Sequence, residues 1–329
     1  MIAPVAIAVV SHDSAADLPA CLAAVGRLDP PAAELVVVDT ASADGSATVA
    51  REHLPAGVAA RVVELAENVG FAGGTNRAIA ETGGDWILTL NPDAQPAADY
   101  LGRLLEAAAD PAAGRVAAVT GRLQRADEDE LLIDACGMRL TRAWRHLDRG
   151  AGERDRGQYA RRERVFGATG AASLWRRAAL EDVAVEGEVF DQRFHSFRED
   201  AELCFRLRER GWEIVYEPWA RAVHRRRVTP ERRRDLPPEI NRRSLRNRYL
   251  LRAGHQRWPN LLRTLPWTLA RDLAALGWVL AVERGSLAAY SGLWRERRAI
   301  AGRRRLLRVR ASAPAAAVER WFGRDGEPF

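Results

Sequence analysis

Asp93 closes the apolar run Trp86-Ile87-Leu88-Thr89-Leu90 by way of Asn91 and Pro92, shortly after the glycine-rich stretch Gly70-Phe71-Ala72-Gly73-Gly74-Thr75-Asn76. A carboxylate at a strand end beside such a turn suits a divalent cation that bridges two phosphates. Mg²⁺ takes few protein carboxylates and completes its shell with phosphate oxygens and water. The glycines at 70, 73 and 74 let backbone approach a phosphate closely. Asn-Pro-Asp is also an ordinary strand-closing turn. Asp39 ends Glu34-Leu-Val-Val-Val-Asp39, where an acid can accept hydrogen bonds from a ribose or base or merely start a turn. The pair Glu199-Asp200 opens a helical stretch. Acids there cap a helix and favour its dipole, yet at a cleft one of them could deprotonate an acceptor hydroxyl. His224, in Ala-Val-His-Arg, is either a metal ligand or a plain surface or core histidine.

These residues need a scaffold, and the pattern supplies one. Val5–Val10, Glu34–Asp39, Arg61–Leu65 and Trp86–Leu90 read as buried strands separated by short helical patterns such as Leu18, Cys21, Leu22 and Val25. That alternation predicts a parallel, doubly wound α/β sheet, in which ligands bind at the carboxyl ends of the strands. Those ends carry Ser11 to Asp13, Asp39, the loop Glu67–Asn76, and Asn91 to Asp93. Residues 122–164 weaken into "ADEDE" and an Arg/Gly/Asp-rich stretch, which reads as a long surface loop. Glu199–Arg210 reads as a helix with Ala201, Cys204 and Phe205 on one stripe, arginines opposite and Gly211 at its C-terminus, followed by a strand over Trp212–Tyr216. After Pro237 the texture changes. Arg242 to Arg252 is a basic helix, and 258–294 holds apolar runs broken by Arg263, Arg271-Asp272 and Glu283. The longest uncharged run there, Leu273 to Val282, has 10 residues, whereas a membrane span needs about 20. Amphipathic helices lying on a membrane are expected instead.

Composition sharpens this division. The chain has 329 residues, 47% hydrophobic and 29% charged, which excludes a disordered protein. Residues 1–220 hold 24 Arg against 35 acids, and residues 221–310 hold 24 Arg against 6. An acidic front joined to a basic rear points the rear at something anionic, a membrane surface or a nucleic acid. Lysine is absent throughout, so the clustering carries meaning and the choice of arginine does not. Cys21, Cys136 and Cys204 share no disulfide-like or zinc-like spacing, which fits a reducing compartment. The opening MIAPVAIAVVSHDS lacks a basic n-region and a small-residue cleavage site, and reads as a first buried strand.

The segments "VAIAVVSHDSAADLPACLAAV", "ELVVVDTASADGS", "ENVGFAGGTNRAIAETGGDWILTLNPDA", "FGATGAASLWRRAALEDV", "FDQRFHSFREDAELCFRLRERGWEIVYEP" and "AVHR" share an order and spacing. Together they resemble the family 2 glycosyltransferases of GT-A fold, in particular the bacterial rhamnosyltransferase-like branch that builds cell-surface polysaccharide. The resemblance runs from about residue 4 to 226. It implies a Rossmann-like, mostly parallel sheet in a nucleotide-sugar domain over 1–235, followed by a basic helical, membrane-associating region over 236–329. It implies that Asp39 holds the base or ribose, with Ser11 and Asp13 in the loop before it. Asn68, Gly70, Phe71, Gly74 and Asn76 shape the nucleotide and diphosphate pocket. Asn91 and Asp93 stand in place of a DxD motif, with Asp93 on Mg²⁺ or Mn²⁺ and His224 as a further ligand. Asp200 is the general base of an inverting transfer, with Glu199 its companion. The implied partners are a nucleotide diphosphate sugar, dTDP-rhamnose by branch, and a glycan or polyprenyl-diphosphate-linked acceptor. The implied place is the cytoplasmic side of an anionic membrane. Ser11-His12-Asp13 and Thr40 depart from the Asn-Tyr-Asn and Asn usual in these relatives, which leaves the nucleotide open.

Two rival readings remain at this level. One is a degenerate domain that binds sugar nucleotides without turnover. The other is a nucleic-acid binder using the arginine runs 225–227, 232–234 and 303–305; it leaves the acidic strand ends unexplained, and no nucleic-acid partner is expected.

Overall fold

The structure is a computed structural model that describes residues 4–125, 132–226 and 236–328; the acidic stretch 126–130 and the arginine run 232–234 lie outside the described residues. The first half alternates strand and helix: β1 Val5–Ser11, α1 Leu18–Val25, β2 Glu34–Thr40, α2 Ser46–Glu52, β3 Ala59–Leu65, α3 Gly70–Ala80 and β4 Trp86–Leu90. Then follow β5 Ala94–Pro96, α4 Tyr100–Ala109, β6 Val116–Arg125, β7 Ile133–Ala135, β8 Met138–Leu140, β9 His146–Asp148 and β10 Glu163–Arg164. β11 Ala172–Arg176, α5 Arg177–Val183, α6 Glu199–Glu209 and β12 Glu213–His224 complete the sheet region. The rest is helical apart from β13 Glu327–Pro328: α7 Pro238–His255, α8 Trp258–Ala281, α9 Ala288–Arg295, α10 Arg297–Arg310 and α11 Ala316–Glu319.

The main sheet runs β13-β10-β12-β6-β11-β4-β1-β2-β3. β3, β2, β1 and β4 are parallel neighbours, β11 runs antiparallel between β4 and β6, and β12 is again parallel to β6. The mostly parallel, doubly wound expectation therefore holds, with β11 reversed in its middle and β10 reversed near its edge. Both faces are covered, as continuous Val/Ile/Leu strands require. Leu18, Leu22, Tyr100 and Leu104 fill one side, and Ala72, Ile79, Leu180, Leu203 and Phe205 fill the other.

Three expectations need correction. Residues 132–149 are not a surface excursion: Ile133, Cys136, Met138, Leu140 and Trp144 belong to the core, and β6 itself continues to Arg125, whereas the Arg/Gly/Asp-rich stretch 151–161 is the exposed loop expected. The strands there have three residues each, too few to leave a period in the sequence. The arginines of α6 do not face water. Arg206 is buried on Glu202 and the Val183 carbonyl, and Arg208 is buried among the carbonyls of Phe166 and Trp212. Finally, the last long strand does not stop at Tyr216. A register shift between Glu217 and Arg221 accommodates Pro218, and the strand resumes to His224.

Candidate active site

β4 delivers Asn91 to a turn at the carboxyl end of the sheet. The Asn91 N–H donates to the Ala171 carbonyl at 2.7 Å, and the Ala94 N–H closes back on the Asn91 carbonyl at 3.0 Å. β5 then pairs with β12 so that Ala94 lies opposite His224. This register brings His224 Nε2 to 3.2 Å from Asp93 Oδ1, with the Asn91 amide 3.4 Å from the same ring nitrogen. On the far side of the ring, Nδ1 lies 2.8 Å from Asp134 Oδ2. Burial alone would lower the imidazole's pKa, but Asp134 and Asp93 hold it up at about 9. Burial pushes the Asp134 carboxyl up in turn, and His224 and Arg226 outweigh it, so its pKa falls below the ordinary value. Arg226 also reaches Asp148 at 2.6 Å.

This cluster fits a divalent cation that takes the place of the proton His224 Nε2 shares with Asp93. Asp93 Oδ1 and His224 Nε2, 3.2 Å apart, have nearly the separation of two adjacent ligands on one octahedral ion, about 3 Å for bonds of about 2.1 Å. A carboxylate behind the other ring nitrogen is the usual support of a metal-binding imidazole. Among the described residues no group of three or more His, Cys, Asp and Glu forms a full metal cage. A two-donor site leaves its other positions to phosphate oxygens and water.

Asp200 sits at the start of α6, after a strained approach. His195, Phe197 and Arg198 have φ of +59°, +72° and +77°, a region costing non-glycine residues roughly 1–3 kcal/mol each. Both flanks hold the loop in place. Asn247 Nδ2, on α7, lies 2.7, 2.9 and 3.0 Å from the carbonyls of Phe194, Ser196 and Phe197. Opposite, the Ala72 N–H donates to the His195 carbonyl at 2.9 Å, and His195 Nε2 is 3.2 Å from the Asn68 carbonyl. Asp200 Oδ2 accepts the Gly170 N–H at 3.1 Å and Oδ1 accepts the Ala201 N–H at 2.7 Å. Burial raises its pKa to about 6 against the lowering effect of the Gly170 bond. Burial, and then the neighbouring Asp200, push Glu199 far higher, and its Oε2 has no hydrogen-bond partner among the described residues. Burial thus favours the proton on Glu199 over Asp200.

One short loop joins the two carboxylates. Gly170 gives its N–H to Asp200, and the next residue, Ala171, takes the N–H of Asn91. A Cβ on Gly170 would lie 2.9 Å from the Phe71 ring, so Phe71 also packs at this junction. Gly70 needs its φ of +70°, and a Cβ there would collide with His195. Asn68 Oδ1 caps the turn by accepting the Gly70 N–H at 2.9 Å. Beside it, the loops after β1 and β2 interlock: the Asp13 N–H donates to Ser42 Oγ at 3.0 Å and the Ala43 N–H to Asp13 Oδ1 at 2.8 Å. Asp39 accepts from Ser42 Oγ at 2.6 Å, and Ser11 is fully buried. Two sequence candidates serve as walls. Asn76 commits both ends of its amide to the Phe190 backbone, at 2.7 and 2.8 Å, and a Cβ on Gly74 would lie 2.5 Å from Val10.

A family model described as glycosyl transferase family 2 matches residues 6–184. The chain belongs to glycosyl transferase family 2. It is 29% identical over 213 residues to the Mycobacterium tuberculosis (strain H37Rv) N-acetylglucosaminyl-diphospho-decaprenol L-rhamnosyltransferase, covering 58% of this chain and 66% of that relative's length. Its fold is similar to those of GalNAc-T7 solved with UDP, GalNAc and Mn²⁺ (12% identity, TM-score 0.61, 77% of this chain and 48% of that one) and of the Pyrobaculum calidifontis mannosyltransferase PcManGT solved with GDP-Man and Mn²⁺ (20% identity, TM-score 0.52, 94% and 86%). S. aureus TarS 1-349, solved with UDP, is likewise similar (16% identity, TM-score 0.50, 85% and 75%).

The family 2 match ends before Asp200 and His224, so in this glycosyltransferase those residues rest on geometry. Geometry also adds Asp134 and Asn247, which the sequence did not single out, and gives Arg226, marked there only as part of an arginine run, a place beside Asp134. Asp134 left a faint mark, a lone acid inside the apolar run Leu131-Leu132-Ile133-Asp134-Ala135-Cys136, where a carboxylate needs a partner. Asn247 left none.

Proposed function

We propose that the protein is an inverting, metal-dependent glycosyltransferase that moves rhamnose from dTDP-rhamnose to a hydroxyl of a polyprenyl-diphosphate-linked glycan. One observation carries the reading: Asp200, with its pKa raised to about 6, and the Asn91–Asp93 turn grip neighbouring residues of one loop. Two carboxylates of different surroundings then border one cleft.

The acceptor oxygen bonds to the anomeric carbon as the carbon–oxygen bond to the diphosphate breaks on the opposite face. Asp200 takes the hydroxyl proton, a task for which a carboxyl titrating near 6 is ionised at neutral pH. Asp93 and His224 would hold Mg²⁺ or Mn²⁺, which when bound supplies positive charge to the leaving diphosphate. Asp134 fixes the His224 ring so that Nε2 faces Asp93. Asp39 and Asp13 line the end for base and ribose with Ser11 buried beneath them, and Asn68, Gly70 and Phe71 line the diphosphate. The rhamnosyl donor and lipid-linked acceptor draw support from the mycobacterial relative's name. The arginine-rich region after residue 236 meets the anionic cytoplasmic leaflet where such an acceptor resides.

The test is thermal unfolding with dTDP, UDP, GDP and CDP, each with and without Mn²⁺ or Mg²⁺. Saturation at a hundredfold over Kd adds roughly 2.7 kcal/mol, a rise of several degrees. A metal-dependent rise with dTDP alone is expected. No rise with any nucleotide overturns the enzyme reading, and a rise with another nucleotide overturns the donor.

A further inference from the structure

α8 is built inside out. Its buried residues include Asn260, Thr264 and Thr268, together with the small Ala275 and Val279. The inward side makes polar contacts: Asn260 Oδ1 accepts the Trp144 indole N–H at 2.6 Å, and Asp272 takes Arg248 at 2.7 Å and Arg252 at 2.6 Å. The leucines face out. Leu262, Leu265, Leu269, Leu273, Leu276 and Leu280 follow one another at spacings of three or four on this 24-residue helix, and all are exposed, Leu262 by 69% and Leu273 by 60%. Trp258 is exposed by 69% at one end, and Trp278 and Val282 are exposed at the other. A helix packed on a water-soluble surface turns these sides the other way round.

We propose that the outward face of α8 is an in-plane membrane anchor that sinks into the acyl margin of a phospholipid leaflet. The inference rests on the membrane reading above and specifies its physics: apolar insertion holds the chain, and arginine attraction only assists. Lipid suits the face better than a second copy of the helix does. A helix pair wants a narrow seam flanked by charges. Here Ala270, Ala274 and Gly277 lie exposed beside the leucines, Pro266 sits within the helix, and Arg263, Arg271 and Asp272 are its only charged residues. Exposed Arg284, Arg295, Arg297 and Arg298 follow in the next segments, placed to meet anionic headgroups. The helix is about 36 Å long, yet no helix among the described residues is long and apolar enough to cross a membrane. A face that is apolar over this length, on a helix that does not cross, has the form of an interfacial anchor.

The test compares the full chain with the triple variant Leu269→Gln/Leu273→Gln/Leu276→Gln by flotation on vesicles of phosphatidylcholine alone and of phosphatidylcholine with phosphatidylglycerol, at low and high salt. The wild type is expected to float with both lipids and to stay bound at high salt, while the variant loses about tenfold or more of its partitioning. The exposed positions leave its unfolding temperature and nucleotide response unchanged, which separates this outcome from failure of the transferase reading. Flotation only with the anionic vesicles, abolished by salt and equal in the variant, overturns the inserted anchor while leaving an electrostatic membrane association. Absence of flotation overturns both. A lipid-free dimer in sedimentation that the variant dissolves assigns the face to a second copy and overturns the proposal.

Discussion

The Asn91–Asp93 turn and the start of α6 both grip the Gly170–Ala171 loop, and the protein surrounds their carboxylates oppositely. Asp93 faces an imidazole backed by Asp134 and Arg226, a relay of alternating charge. Asp200 has backbone N–H groups, the buried carboxyl of Glu199 beside it and a half-buried position of its own. The first arrangement suits holding a cation, because a charged network fixes donor positions. The second suits exchanging a proton, because burial brings the pKa toward the working pH.

The largest test of this contrast is Asp200→Asn, which keeps shape and removes the base. We expect kcat to fall by about 10² to 10⁴, with the nucleotide-induced rise in unfolding temperature intact. In the wild type kcat should climb as pH rises through about 6 and then level off. Retained turnover in the variant would move the base elsewhere. Asp93→Ala should act on the other term, costing about a hundredfold in kcat and abolishing the metal-dependent part of the nucleotide response. Asp134→Asn should be milder, weakening Mn²⁺ by about 10- to 100-fold. Titrating Mn²⁺ at saturating nucleotide reads this directly, and unchanged affinity would reduce Asp134 to a packing residue.

A smaller effect tests whether α7 belongs to the cleft. Asn247→Ala leaves the carbonyls of Phe194, Ser196 and Phe197 without their amide, which should destabilise the fold by about 1–3 kcal/mol. With the 195–198 loop loosened, kcat should fall while the donor KM stays close to wild type. A proportional loss of folded protein with normal kcat per folded molecule would limit Asn247 to stability.

The legible and illegible parts of this site differ in range. Trp86–Leu90 and Glu199–Glu209 were readable because each carries its own signal, an apolar run or a capped stripe. The partners of Asp93 were not, since His224 reaches it only through a strand that passes Pro218 by a register shift, and Asp134 lies 90 residues from His224. Periodicity likewise marked 258–294 as amphipathic. It could not say which side of α8 faces the protein, because that depends on Trp144, Arg248 and Arg252 arriving from elsewhere. Asn247 acts on backbone carbonyls, whose positions follow from the fold and not from residue type.

The smallest expected effect concerns how α7 is fastened to the helix that bears Asp200. His255 is buried between two carboxylates of α6, Glu202 at 3.3 Å and Glu209 at 3.1 Å. Arg206 also reaches Glu202 and Arg257 lies 3.8 Å from Glu209. Burial would lower the His255 pKa, yet Glu209 and Glu202 raise it to about 9. A folded pKa above the unfolded one gives stability that is complete below about 6.5 and is lost as pH rises through about 9. The His255 contribution to unfolding free energy should therefore decline on the order of 1 kcal/mol per pH unit across that window, on top of that of His224. His255→Gln should be less stable at pH 6.5 and should flatten the slope. An equal slope in the variant would place the alkaline loss at another group and leave the contact between α6 and α7 indifferent to the charge on His255.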